Sequence, residues 1–135
     1  MSLRSHQFRK PSVYVTQSEY ERLSNLAESS ATAGARLLGD ELARAIVVKD
    51  GASLRTFVRL HSLVEFQDLT TGRARRVQLV PPDEADIDQN RLSVLTPVGA
   101  GLIGLKPGDS IGISTEGGRS HVLSVVSVED AHAHA

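Results

Sequence analysis

The sequence has no cysteine and no tryptophan, and only two tyrosines and three phenylalanines. Without cysteine there is no disulfide framework, no thiolate nucleophile and no thiolate metal ligand, a pattern consistent with a cytoplasmic home. No apolar run approaches the roughly 20 residues that a membrane-spanning helix needs, and residues 1–11 lack the apolar core of a signal peptide. Nor is one charge in surplus: the formal net charge is -1, which offers no bulk attraction to nucleic acid. A phosphate-binding loop is also missing, because Gly99, Gly101 and Gly104 follow a proline and lack a neighbouring Lys-Ser/Thr pair. With 135 residues the chain has room for one domain and an appendage.

The stretch that organises the chain is DEADIDQNRLSVLTPVGAGLIGLKPGD, residues 83–109. Asp83, Glu84, Asp86 and Asp88 form a solvated acidic segment, and residues 91–95 then alternate Leu92 and Val94 against Ser93, as a half-buried strand does. Thr96 followed by Pro97 predicts a helix N-cap with proline at the first helical position. Val98, Leu102 and Ile103 share one face of the short helix that follows, with Leu102 and Ile103 assigned to the core. Lys106-Pro107-Gly108-Asp109 is a tight turn.

Upstream, residues 1–12 carry Arg4, His6, Arg9 and Lys10 with little to bury, and a loose end is expected there. Thr16-Gln17-Ser18-Glu19 has the spacing of a capping box, with Glu19 reaching back to the cap. Tyr20, Leu23, Leu26 and Ala27 mark one helical face; after Ser29 and Ser30, a second pattern runs through Ala31, Ala35, Leu38, Leu42 and Ala45, with Ile46 beside them. Two helices of roughly 12 to 16 residues should pack as an antiparallel hairpin over 13–50, leaning on the domain that follows. Asp40 and Glu41 are placed on its solvated face. Asp50-Gly51 then breaks the chain.

After Leu54 the signals are those of strands. Val58 and Leu60, then Val64 and Phe66, alternate with polar neighbours, and Thr70-Thr71-Gly72 turns the chain. The return strand places Val77 and Leu79 inward and Arg73 and Arg75 outward, with Gln78 a further candidate for the outer face. A second hairpin alternates through Ile111 and Ile113, turns at Glu116-Gly117-Gly118, and returns through Val122, Ser124 and Val126. The expected architecture is α+β: a short helical hairpin, then an antiparallel sheet of about five strands over 54–129 with one short helix across it, and a flexible tail over 130–135.

Several groups invite a chemical role. Arg55, Arg59, Arg73, Arg75 and Arg76 outnumber Glu65 and Asp68, a bias suited to an acidic protein surface or a phosphate backbone, although a solvated sheet face has the same composition. His61, Ser62 and Glu65 could be drawn as a catalytic cluster, but adjacent strand positions point to opposite faces. His132 and His134 lack a third and fourth ligand for a metal. No catalytic residue, cofactor or metal site is assigned.

At residues 84–108 the sequence resembles the C-terminal domain of the GreA/GreB family of bacterial transcript-cleavage factors, in which an EADI-QN segment, a strand, a Ser/Thr-Pro and a helix ending in LIG follow in this order. The pieces VGAGLIGLKPGDSI and STEGG are similar to the Rnk-like branch of that family. The resemblance spans roughly residues 58–129 and rests on architecture alone before residue 54. It implies an FKBP-like C-terminal domain and a coiled-coil arm. It also implies docking at the secondary channel of RNA polymerase, on a coiled coil of the β′ subunit, through Ser93, Thr96, Pro97 and Val98. In Gre factors the tip of a longer arm carries paired carboxylates that help hold a catalytic magnesium, as hard oxygen ligands would. Here the expected tip, around Glu28, Ser29 and Ser30, reads ESSATAGAR with a single carboxylate. The resemblance therefore implies channel occupancy in competition with Gre factors, without transcript cleavage and without sequence-specific DNA contact. An FKBP-like fold can host prolyl isomerases, but the pocket of such an enzyme is lined by aromatics, and only Phe57 and Phe66 lie in this part of the chain. Regulation of nucleoside diphosphate kinase, direct or indirect, is the alternative that the Rnk-like branch implies.

Overall fold

The Thr16 side chain accepts the N–H of Glu19 at 3.2 Å, and the first helix begins there. The computed structural model describes residues 10–51, 56–115 and 117–130. Helix α1 (Gln17–Glu28) ends at Ser29, whose N–H reaches the Asn25 and Leu26 carbonyls. A second cap follows at once: Thr32 Oγ1 accepts the N–H of Ala35 at 3.2 Å and starts α2 (Ala33–Ala43). Only half of the capping box forms, because the Glu19 carboxylate turns away from Thr16 and accepts the N–H of Leu60 at 3.5 Å. Burial raises the Glu19 pKa, against the opposing pull of that N–H and of Arg59.

Three expectations for this region are corrected. The helical pattern predicted through Ile46 stops at Ala43, and Ile46–Val48 forms strand β2, paired in parallel with β1 (Tyr14–Thr16). A run of three β-branched residues favours the strand, and the Ile46 N–H finds the Val13 carbonyl at 2.7 Å. Glu41 is buried, not solvated: it lies three residues from Leu38 on the apolar face and pairs with Arg44, which donates to the Pro11 carbonyl at 2.6 Å. Burial raises its pKa, and Arg44 opposes the shift. Pro11, inside the expected loose end, is thereby held. Residues 1–9 and 131–135, with Arg4, His6, Arg9, His132 and His134, lie outside the described residues, as do Leu54, Arg55 and Glu116.

The C-terminal part contains strands β3 (Leu63–Asp68), β4 (Ala74–Val80), β5 (Arg91–Ser93), β6 (Ser110–Ser114) and β7 (Ser120–Glu129), with helix α3 (Pro97–Leu102) between β5 and β6. They form one five-stranded sheet in the order β5-β4-β3-β7-β6. Both expected hairpins are antiparallel, β3 with β4 and β6 with β7. The fully antiparallel expectation fails at one edge, where β5 runs parallel to β4. The acidic segment causes this: two 3-10 turns, Pro82–Glu84 and Ile87–Gln89, carry the chain back to the start of the sheet edge, so β5 leaves in the direction of β4. Val58 and Leu60 are buried but lie outside the strands, ahead of a turn in which His61 adopts a φ of 75°.

The N-terminal helices and the sheet share one core that joins Val13, Leu23, Leu38 and Leu42 to Val64, Leu79, Leu102 and Ile103. At the junction the backbones nearly touch. Tyr14 N–H reaches the Gly104 carbonyl at 3.0 Å, Gly104 N–H the Val58 carbonyl at 2.9 Å, and Val58 N–H the Leu105 carbonyl at 2.9 Å. A Cβ on Gly34, in the first turn of α2, would lie 1.9 Å from the Leu95 carbonyl oxygen.

Because that obstacle is backbone, Gly34→Ala should destabilise the protein by about 2 kcal/mol or more, within the usual range for overpacking. Gly39→Ala, in the same helix with open space around it, should stabilise by roughly 0.5–1 kcal/mol. Urea unfolding of both variants checks the pair, and equal effects would refute the tight junction.

Candidate functional site

Ser93, Thr96, Pro97 and Val98 come together where β5 enters α3, each half-buried. Thr96 performs the capping that its sequence context predicts: its hydroxyl donates to the Ser93 carbonyl at 2.8 Å and accepts the Gly99 N–H at 3.0 Å. Ser93 Oγ accepts the Leu95 N–H at 3.0 Å. Thr96 has therefore already used its proton, whereas Ser93 still has a hydroxyl proton to donate. Beneath them Gly99 packs against the Ser93 carbonyl, where a β-carbon would lie 2.2 Å from the oxygen.

The expected tip residues are adjacent to this segment through α2. Glu28 is exposed; Ser29 Oγ donates to the Leu26 carbonyl at 2.7 Å; Ser30 Oγ lies 3.3 Å from Thr32 Oγ1. Two residues beyond Thr32, Gly34 rests on the backbone of Leu95 and Thr96. The loop between the helices therefore emerges next to the 93–98 segment.

Val98 also borders a feature that sequence reasoning missed. A cavity of about 230 Å³ opens on the inner side of the sheet, lined by Phe66, Asp68, Arg73, Arg75, Val98 and His121, with Leu123 and two threonines completing it. Strand register explains its composition. Phe66 pairs with Arg75 and Asp68 with Leu123, and directly opposed residues share a face, so Arg75 and Asp68 lie on the side of the buried Phe66 and Leu123. The outward placement of Arg73 and Arg75 is thus corrected: Arg75 precedes Val77 by two residues and belongs to the same face, and Arg73 lines the cavity with it. The strand period carries that information, while the charge points the other way. His121 follows the same logic, two residues before Leu123.

Inside the cavity Asp68 Oδ2 lies 2.8 Å from His121 Nδ1, while Oδ1 accepts the N–H groups of Thr70 at 2.9 Å and Thr71 at 3.3 Å. Partial burial pushes the Asp68 pKa up, but the bonds from His121, Thr70 and Thr71 outweigh it, and the carboxyl is held below its usual range. The other suspected groups go elsewhere. His61 Nε2 meets Glu84 Oε1 at 2.9 Å, and Ser62 Oγ accepts the Arg59 N–H at 2.9 Å, so neither joins Glu65 in a cluster. The basic set is also divided: Arg59 stacks on Phe57 at 4.9 Å, Arg76 pairs with Glu129 at 3.1 Å on the other face of the sheet, and Arg73 and Arg75 line the cavity.

Comparison with known proteins matches residues 53–130 to the family model "Transcription elongation factor, GreA/GreB, C-term" and residues 11–48 to "Rnk N-terminus". The chain is 35% identical over 123 residues to the "Regulator of nucleoside diphosphate kinase" of Escherichia coli K12, covering 89% of this chain and 90% of that protein. It is 41% identical over 75 residues to the transcription elongation factor GreA of Nitratidesulfovibrio vulgaris, covering 55% of this chain and 47% of that one. Among solved structures, a GreA/GreB elongation factor from Nitrosomonas europaea superposes with a TM-score of 0.69 at 33% identity, over 89% of this chain and 99% of that one.

The lowered Asp68 pKa has a consequence for stability. The contribution of its network is present above the unfolded carboxyl value of about 3.9 and is lost as pH falls through the lower folded value. Asp68→Asn should therefore be less stable than the wild type at pH 6, and the two should converge as the pH is lowered toward 3. Urea unfolding across that range measures it; a constant gap would show that Asp68 ionisation contributes nothing.

Proposed function

We propose that this chain, which belongs to the GreA/GreB family and carries an Rnk-type N-terminus, binds RNA polymerase at the secondary channel and occupies it without stimulating transcript cleavage. In this reading the C-terminal part acts as an FKBP-like docking domain on the β′ coiled coil. The two helices form a short antiparallel arm, and the protein works in the cytoplasm as a competitor of Gre factors, with no enzymatic activity of its own.

The observation that carries the reading is the state of residues 93–98. Their local hydrogen bonds hold Pro97 and Val98 half-exposed at a fixed position beside an open cavity, so little conformational entropy remains to be lost on docking. The turn between the helices supports the absence of cleavage in this reading. The one acid at this turn is Glu28, the last residue of α1, and the hydroxyls of the turn are engaged in local hydrogen bonds, whereas a second magnesium requires closely placed carboxylates. A second reading, regulation of nucleoside diphosphate kinase, is favoured by the name of the Escherichia coli relative.

Binding to core RNA polymerase tests the proposal. The wild type should bind saturably and be displaced by GreB, Pro97→Asp should lose at least about tenfold in affinity, equivalent to about 1.4 kcal/mol, and a backtracked complex should show no added cleavage. Absence of binding, together with a measurable complex with nucleoside diphosphate kinase, would favour the second reading.

A further inference from the structure

We infer that the cavity beside Val98 is an acceptor site for an acidic side chain of the docked partner, with Arg75 and Arg73 supplying its positive charge; this rests on the polymerase-docking reading above. The cavity contains one acid and three basic side chains, but they are not equally available. Asp68 is already engaged: one carboxylate oxygen holds His121 and the other the N–H groups of Thr70 and Thr71, and its one negative charge faces two arginines. Arg73 and Arg75 are exposed and have no ion-pair partner among the described residues, while Arg76, one position along the strand on the opposite face, is already paired with Glu129. The charge left uncompensated in the cavity is therefore positive.

The surroundings favour a carboxylate. Phe66, Leu123 and Val98 supply an apolar floor. Charge pairing strengthens as water is displaced from such a floor, and the planar guanidinium fork of arginine matches a carboxylate in two-point geometry. A volume of about 230 Å³ suits one side chain and not a large ligand. Because the proposed partner is a protein, the acid is an Asp or Glu, placed close to whatever residue contacts Pro97.

The test measures affinity of the full chain for core RNA polymerase, at low and at moderate salt, for the wild type, Arg75→Ala, Arg75→Lys, Arg76→Ala and Pro97→Asp, with a thermal melt of each to confirm folding. Arg75→Ala should weaken binding about tenfold and make it less sensitive to salt, Arg75→Lys should fall between it and the wild type, and Arg76→Ala should stay within about twofold of the wild type. If Arg75→Ala binds like the wild type while Pro97→Asp does not bind, the acceptor site is refuted and the docking reading survives. If Arg76→Ala weakens binding as much as Arg75→Ala, the effect is general charge and the site is likewise refuted. If the wild type fails to bind, both readings fall.

Discussion

The structure depends on a backbone junction too narrow for side chains. Gly34 lies against the Leu95 carbonyl, Gly104 fits between Val13 and the Tyr14 backbone with a φ of 78°, and three inter-segment hydrogen bonds tie residues 14, 58, 104 and 105 together. A β-carbon at Gly34 or Gly104 would force these strands and helices apart, and the left-handed backbone at Gly104 would itself disfavour one. The core is a consequence of that closeness. Leu23, Leu38 and Leu42 can join Leu102 and Ile103 only because the helices approach α3 without an intervening side chain. Two segments matched by different family models thus share one core.

The same closeness shapes residues 93–98. Most polar groups of residues 93–99 are spent on one another: Thr96 caps α3 and holds the Ser93 carbonyl, and Ser93 holds the Leu95 N–H. Local satisfaction of hydrogen bonds leaves an edge that is rigid and mainly apolar, at Pro97 and Val98, with the Ser93 hydroxyl proton still able to donate. Rigid apolar edges beside unpaired charge suit specific protein contact, because the apolar part supplies burial while the charge selects the partner. The helices contribute by position. Their loop emerges next to this edge, so whatever binds residues 93–98 also encounters the turn between α1 and α2.

Much of the fold was legible in the sequence because its signals act over a few residues. The threonine caps at Thr16 and Thr96, the proline at the first position of α3, the Pro-Gly turn at residues 106–109 and both antiparallel hairpins follow from groups within four or five positions of each other. Errors arose where a local signal competed with a distant one. Ile46 continued a helical period, yet the Val13 carbonyl drew it into a parallel strand pair. The charge of Glu41 points to solvent, yet Arg44 and its position beside Leu38 put it inside. The charge of Arg75 points outward in the same way, although the strand period assigns it to the face of Val77.

By itself the sequence determined the kinds of element, their order, the family resemblance carried by residues 84–108, and the absence of a second carboxylate between the helices, since each is a matter of residue identity and short spacing. Tertiary structure alone decided that β5 runs parallel to β4, that the helices lean on α3, and that one end of the inner sheet face stays uncovered around Phe66, Asp68, Arg75 and His121. These features depend on residues as far apart as Asp68 and His121, or Gly34 and Leu95. No periodicity or propensity over a short window can bring such residues together; packing of the whole chain does.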